Sequence, residues 1–97
     1  MTSIQNIQPL SAEMLFDLLK KEFPDYINEK LDSTLAIEFT HVYDIINVSF
    51  PEVIAGTIFT ITISDDKIEV LDNKTTTTYN TKLLESHLVD FLKIKAE

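Results

Sequence analysis

The sequence predicts an α+β fold: a two-layer α/β sandwich, with an antiparallel meander sheet of about three to five strands and an N-terminal and a C-terminal helix packed on one face. Three observations carry this. Apolar residues recur at helical spacing near the start of the chain and again at its end, and between these segments they alternate with a period of two.

In Ser11 to Phe23 the residues Ala12, Leu15, Phe16, Leu18, Leu19 and Phe23 share a broad helical face opposite Glu13, Asp17, Lys20 and Lys21. Ser11 suits the N-cap and Glu13 the first turn, and Asp17 and Lys21 form an i,i+4 pair in the favourable orientation. Pro24 lacks an N–H and biases Phe23 away from helical geometry, so a kink or a restart over Pro24 to Leu31 is expected. Residues 1–10 show neither period and are expected to form a flexible N-terminal segment of a single domain spanning 1–97.

Between Ser33 and Thr40, Leu35, Ile37 and Phe39 alternate with Ala36, Glu38 and Thr40, the pattern of a half-buried strand. A second strand is expected over Ile45 to Phe50, ended by Pro51. Pro51 to Gly56 reads as a helical turn or a loop. Gly56, the sole glycine, suits a turn that needs a positive φ. Thr57 to Ser64 alternates cleanly, with Phe59, Ile61 and Ile63 on one side and Ile58, Thr60, Thr62 and Ser64 on the other. Asp65-Asp66 then supplies turn chemistry before a hairpin partner at Lys67 to Leu71. Asp72-Asn73-Lys74 is expected to turn into a further strand over Thr75 to Tyr79. Thr81 to Lys95 closes the chain as a helix with Leu83, Leu84, Leu88, Phe91, Leu92 and Ile94 on its apolar side, capped by Asn80 or Thr81.

The 97 residues, 44% of them hydrophobic, suffice for one core without a metal or disulfide staple. The absence of cysteine excludes disulfides, thiolate metal sites and thiol nucleophiles. Eight lysines, no arginine and sixteen Asp and Glu residues give a net charge of −8, which repels phosphate backbones and anionic membrane surfaces. No stretch has the apolar length of a membrane span or the composition of a secretory leader, so a cytoplasmic location is expected, with neither nucleic acid nor membrane as partner. Double-stranded RNA-binding domains share the helix–strands–helix order. They also need lysines on their second helix, whereas here that helix begins Thr81-Lys82-Leu83-Leu84-Glu85, so the resemblance is of order alone.

No motif fixes a reaction. One glycine cannot build a phosphate-cradling loop, and no serine sits in a nucleophile elbow. Glu38, His41 and Asp44, each three residues from the next, form a weak polar cluster suited to acid–base work if the side chains converge. His87 and Asp90 have the spacing of a helical ligand pair, but His87 falls within the apolar arc and reads as a core-edge histidine. Asp65, Asp66 and Asp72 read as turn formers, because the glycine and the twelfth-position acid of a calcium loop are missing. No metal or other cofactor is therefore expected. A flat, β-prone face formed by Ile58, Thr60, Thr62, Thr76 and Thr78 reads either as a solvated sheet face or as an interaction surface. The functional expectation is a small acidic protein-binding module of adaptor, inhibitor, immunity or chaperone type, without catalytic activity, for a partner with a basic patch or for a second copy in a homodimer. The alternative is a small-molecule-binding or catalytic domain, completed by dimerisation, with a pocket between helices and sheet.

Overall fold

The computed structural model describes residues 2–32, 34–52, 56–73 and 81–97. Along the chain run β1 (Thr2–Gln5), α1 (Ala12–Leu31), β2 (Glu38–Val42), β3 (Ile45–Ser49), β4 (Thr57–Ile63), β5 (Lys67–Asp72) and α2 (Thr81–Ala96). The expected α+β sandwich is the observed architecture. Strands β2 to β5 form an antiparallel meander, and β1 joins it beside β5, giving the order β1-β5-β4-β3-β2. Strands β1 and β2 are consecutive in the chain but occupy opposite edges of the sheet, so α1 must cross it between them.

The Ser11 side chain caps α1, accepting the Met14 N–H at 3.2 Å. Leu15, Leu19, Phe23 and Ile27, spaced by four, are all fully buried, and this continuous apolar line carries the helix through Pro24. The expected restart after Phe23 therefore does not occur, because burial on both sides of Pro24 outweighs the lost N–H. Asp32 ends the helix in the left-handed region at φ 51°. Beyond it, Asn28 and the Leu35 backbone bond each other in both directions, at 3.1 and 2.8 Å. Leu35, Ile37 and Phe39 pack against the core as expected, although the strand itself starts at Glu38.

In α2 the buried line is Leu84, Leu88, Leu92 and Ala96, joined by Phe91. Leu83 and Ile94, expected on the same side, are 42% and 64% exposed, because only the centre of the apolar arc meets the sheet and α1. Phe23 stands edge-on to Phe91 at 5.3 Å and to Phe39 at 6.3 Å, and Tyr26 lies 5.4 Å from Phe91. This cluster joins both helices to β2. Each of the fully buried Phe, Leu and Ile side chains contributes about 1.5–3 kcal/mol by leaving water. Lys95 reaches from α2 to Glu22 of α1 at 2.7 Å.

Two further differences from the sequence reading concern strands. Thr2–Gln5, expected within a flexible segment, is β1, and its Ile4 is 1% exposed. In β4, Val48 of β3 pairs with Phe59 while Ser49 pairs with Thr57, so Ile58 is an extra residue with no partner in β3. Ile58 and Phe59 are both fully buried, which corrects the expectation that Ile58 lies among the threonines. Before β4, Gly56 adopts φ +81° as expected; a Cβ there would touch nothing, so conformation rather than space calls for glycine. The strand expected over Thr75 to Tyr79 lies outside the described residues.

Candidate functional site

Both helices cover the same face of the sheet, and the residues of the other face follow from the strand register. One row across it runs Ser3, Glu69, Thr62, Ile45, Val42, and the next runs Leu71, Thr60, Asn47, Thr40. Apolar side chains stand in water here: Val42 is 56%, Ile45 39% and Leu71 44% exposed. Among the polar residues of this face, Asn47, Thr60 and Asn73 are bonded to one another. Thr60 donates its hydroxyl to Asn47 Oδ1 at 3.1 Å, and Asn73 Nδ2 donates to Thr60 Oγ1 at 3.1 Å and to the Thr57 carbonyl at 3.3 Å. Groups so paired have less hydration to lose when a partner covers them.

Charge is sparse on this face. Lys67 and Glu69, two residues apart on one side of β5, pair at 3.0 Å, and Glu38 sits at the β2 corner. The hydrogen bond from Lys67 to Glu69, the attraction of that carboxylate and the more distant Asp66 raise the Lys67 ammonium above its ordinary 10.5. Most of the chain's acidity lies elsewhere, on the helices and in the turns.

At one end of the sheet three connections meet. The Asp44 carbonyl accepts the Ile63 N–H at 2.9 Å, which ties the β2–β3 turn to the end of β4. The Asp66 carbonyl accepts the Asn6 N–H at 2.9 Å, which ties the β4–β5 turn to the segment leading into α1. Asp44 and Asp65 line a shallow depression of about 330 Å³ with Leu10, Ser11 and Ala12. The β2–β3 turn holds two residues, Tyr43 and Asp44, between the paired Val42 and Ile45. Tyr43 is 90% exposed, with φ 54°.

Thr60 and Thr62 lie on the open face, Ile58 lies in the core, and Thr76 and Thr78 are outside the described residues. Glu38, His41 and Asp44 do not converge. Glu38 shares the open face with Thr40, whereas His41 alternates to the helix side, where its ring lies 5.3 Å from Phe16 and its Nε2 lies 2.7 Å from the Tyr43 carbonyl oxygen. Asp44 is in the turn. On α2, His87 is half-buried and Asp90 exposed, and among the described residues no group of three His, Asp or Glu side chains is placed to hold a metal. A groove of about 340 Å³ runs between α1 and the outer strand β2, lined by Lys20, Pro24, Ile37 and Phe39. Sequence reasoning missed Val42, Tyr43, Ile45 and Leu71. The signal available was a tyrosine, rather than Gly, Asn or Asp, at the head of a two-residue turn.

No protein-family model, no curated protein and no solved structure matches this chain.

Proposed function

We propose that this domain is a small protein-binding module that docks a basic partner through the uncovered face of its sheet and the turns bordering it. The observation that carries the reading is the one-sided packing of the helices, which leaves Val42, Ile45 and Leu71 in water beside self-bonded threonine and asparagine side chains. Exposed apolar residues set among satisfied polar ones make a surface cheap to desolvate, which an interface centre requires. The carboxylates of the adjoining turns supply attraction over distance, because Asp44, Asp65 and Asp66 are all exposed. A cytoplasmic location fits a cysteine-free chain of this charge. The reading requires no catalytic step, and adaptor, inhibitor, immunity-type and chaperone-like roles all share this surface chemistry.

The test is affinity capture of the tagged domain at low and at moderate salt, beside a variant in which Thr60→Lys places an unpaired cation in the middle of the face. A partner retained stoichiometrically by the native domain, weakened by salt and lost with Thr60→Lys, supports the reading. A partner indifferent to Thr60→Lys removes the sheet face from it.

A further inference from the structure

Five strands about 4.8 Å apart and some 20 Å long cover a flat footprint on the order of 450 Å², small beside the roughly 800 Å² of accessible surface that each partner buries in a standard interface. A partner that reaches past a border of the sheet gains area, and the end where the β2–β3 and β4–β5 turns meet has the chemistry for it.

Tyr43 stands at the tip of the β2–β3 turn. A tyrosine at φ 54° sits in a region that L side chains enter at a cost, where glycine would be relaxed and asparagine less strained than tyrosine. At 90% exposure the ring gains no burial in return, so folding does not account for a tyrosine at this position. The tip is nevertheless held firmly. Its carbonyl oxygen lies 2.7 Å from His41 Nε2, and the next carbonyl, that of Asp44, accepts the Ile63 N–H at 2.9 Å. Val42 and Ile45, paired across the turn and both exposed, extend the ring into an apolar knob. Asp44 within the turn, and Asp65 and Asp66 in the β4–β5 turn at the same end of the sheet, are exposed carboxylates, and Lys67, next to them in sequence, is engaged by Glu69. A fixed aromatic flanked by aliphatic residues and bordered by carboxylates is the pattern of an interface hot spot with a charged rim.

Resting on the protein-binding reading above, we infer that the β2–β3 turn is the anchor of the interface: Tyr43, with Val42 and Ile45, packs on the apolar side of a basic, amphipathic protein segment whose lysines or arginines meet Asp44, Asp65 and Asp66. Charge selects this occupant. A second copy would bring carboxylates against carboxylates, and a nucleic acid or an anionic membrane would be repelled by the same groups.

The probe is an amphipathic peptide of lysine and leucine, with a glutamate–leucine peptide and a lysine–serine peptide as controls. Each is titrated into the ¹⁵N-labelled domain at about 0.01 M and about 0.15 M salt, between which the Debye length falls from about 30 Å to about 8 Å. The expected result is binding of the lysine–leucine peptide alone, with shifts centred on residues 42–45 and 65–66. Tyr43→Gly and Tyr43→Asn should each weaken binding by at least about tenfold while unfolding at a higher temperature than the native domain. Binding centred on the helices, binding unchanged by both variants, equal binding of the lysine–serine peptide, or no binding at either salt would each overturn the anchor. So would a concentration-dependent dimer dispersed by Tyr43→Gly, which would make a second copy the occupant. The protein-binding reading fails separately: if the native domain captures a partner and the Tyr43 variants retain it, the anchor falls and the reading stands, whereas no capture by the native domain removes both.

Discussion

The side chain of Asn6 and the backbone of Leu10 bond each other in both directions: Nδ2 donates to the Leu10 carbonyl and the Leu10 N–H donates to Oδ1, each at 2.9 Å. The same Nδ2 donates to the Ser64 carbonyl at 2.9 Å. One buried amide, 5% exposed, thus fastens the entrance of α1 to the β4–β5 turn beside the proposed interface. Asn6→Ala removes both bonding functions and leaves the Leu10 N–H without its acceptor in a buried site. At about 1–3 kcal/mol for each group left unsatisfied, the expected loss is about 3 kcal/mol. Urea unfolding checks it, as a fall in midpoint with an unchanged slope.

How far the sequence led is clear from particular residues. The two amphipathic helices and the alternation of β4 were legible because burial there repeats with the period of a single element. What was missed depends on pairing between elements. Thr2–Gln5 contains one apolar residue, Ile4, and becomes a strand only because β5 offers it an edge. Ile58 is turned inward by a mismatch between β3 and β4 that neither strand shows alone. Among the site residues, Thr60 and Thr62 were placed correctly on the polar side of β4. The tyrosine itself is legible in the sequence, but its place at the head of a two-residue turn, with a positive φ and an unburied ring, follows only from the pairing of β2 with β3.

The bulge at Ile58 can be tested against its neighbour Thr62, four residues along the same strand. Ile58→Thr puts a hydroxyl into a fully buried site and removes methyl contacts, with an expected cost of about 2–3 kcal/mol. Thr62→Ile, on the exposed face, should change stability by no more than about 0.5 kcal/mol. Equal effects in thermal unfolding would mean that the two side chains share a face and that β4 pairs with β3 without the extra residue.

Lys67 supplies a pH dependence with a definite sign. Its ammonium is raised above the ordinary 10.5, chiefly by the hydrogen bond to Glu69 and by that carboxylate's charge. A group whose pKa rises on folding stabilises the folded state fully below its unfolded value, and that contribution disappears as pH climbs through the raised value. The difference in stability between the native domain and Lys67→Met should therefore be constant from neutral pH to about pH 10, shrink above it, and be reduced by salt throughout. Denaturant midpoints measured across the alkaline range give the comparison; a difference that grows above that pH would contradict the pairing.

Asp32 is a site where the fold should gain. It closes α1 at φ 51° with its backbone N–H directed at the Asn28 and Glu29 carbonyls, and its carboxylate stands at the negative end of the helix dipole. Asp32→Gly relieves the left-handed strain and removes the unfavourable charge, at the expense of a freer unfolded chain. The net gain expected is about 0.5–1 kcal/mol, or roughly 4 °C in Tm, read by thermal unfolding.

Pro24 sets two larger effects against each other. A proline inside a helix costs about 3 kcal/mol relative to alanine, through the missing N–H and the clash with the carbonyl four residues back, here that of Lys20. Against this, its ring restricts the unfolded chain by about 0.4–1 kcal/mol and fills part of the groove beside β2. Pro24→Ala should therefore raise stability by about 1–2 kcal/mol, measured by urea unfolding. A loss instead would show that contact between the ring and the groove outweighs the helix defect, and that α1 is held against the β2 edge by Pro24 itself as well as by the buried Phe23 and Ile27.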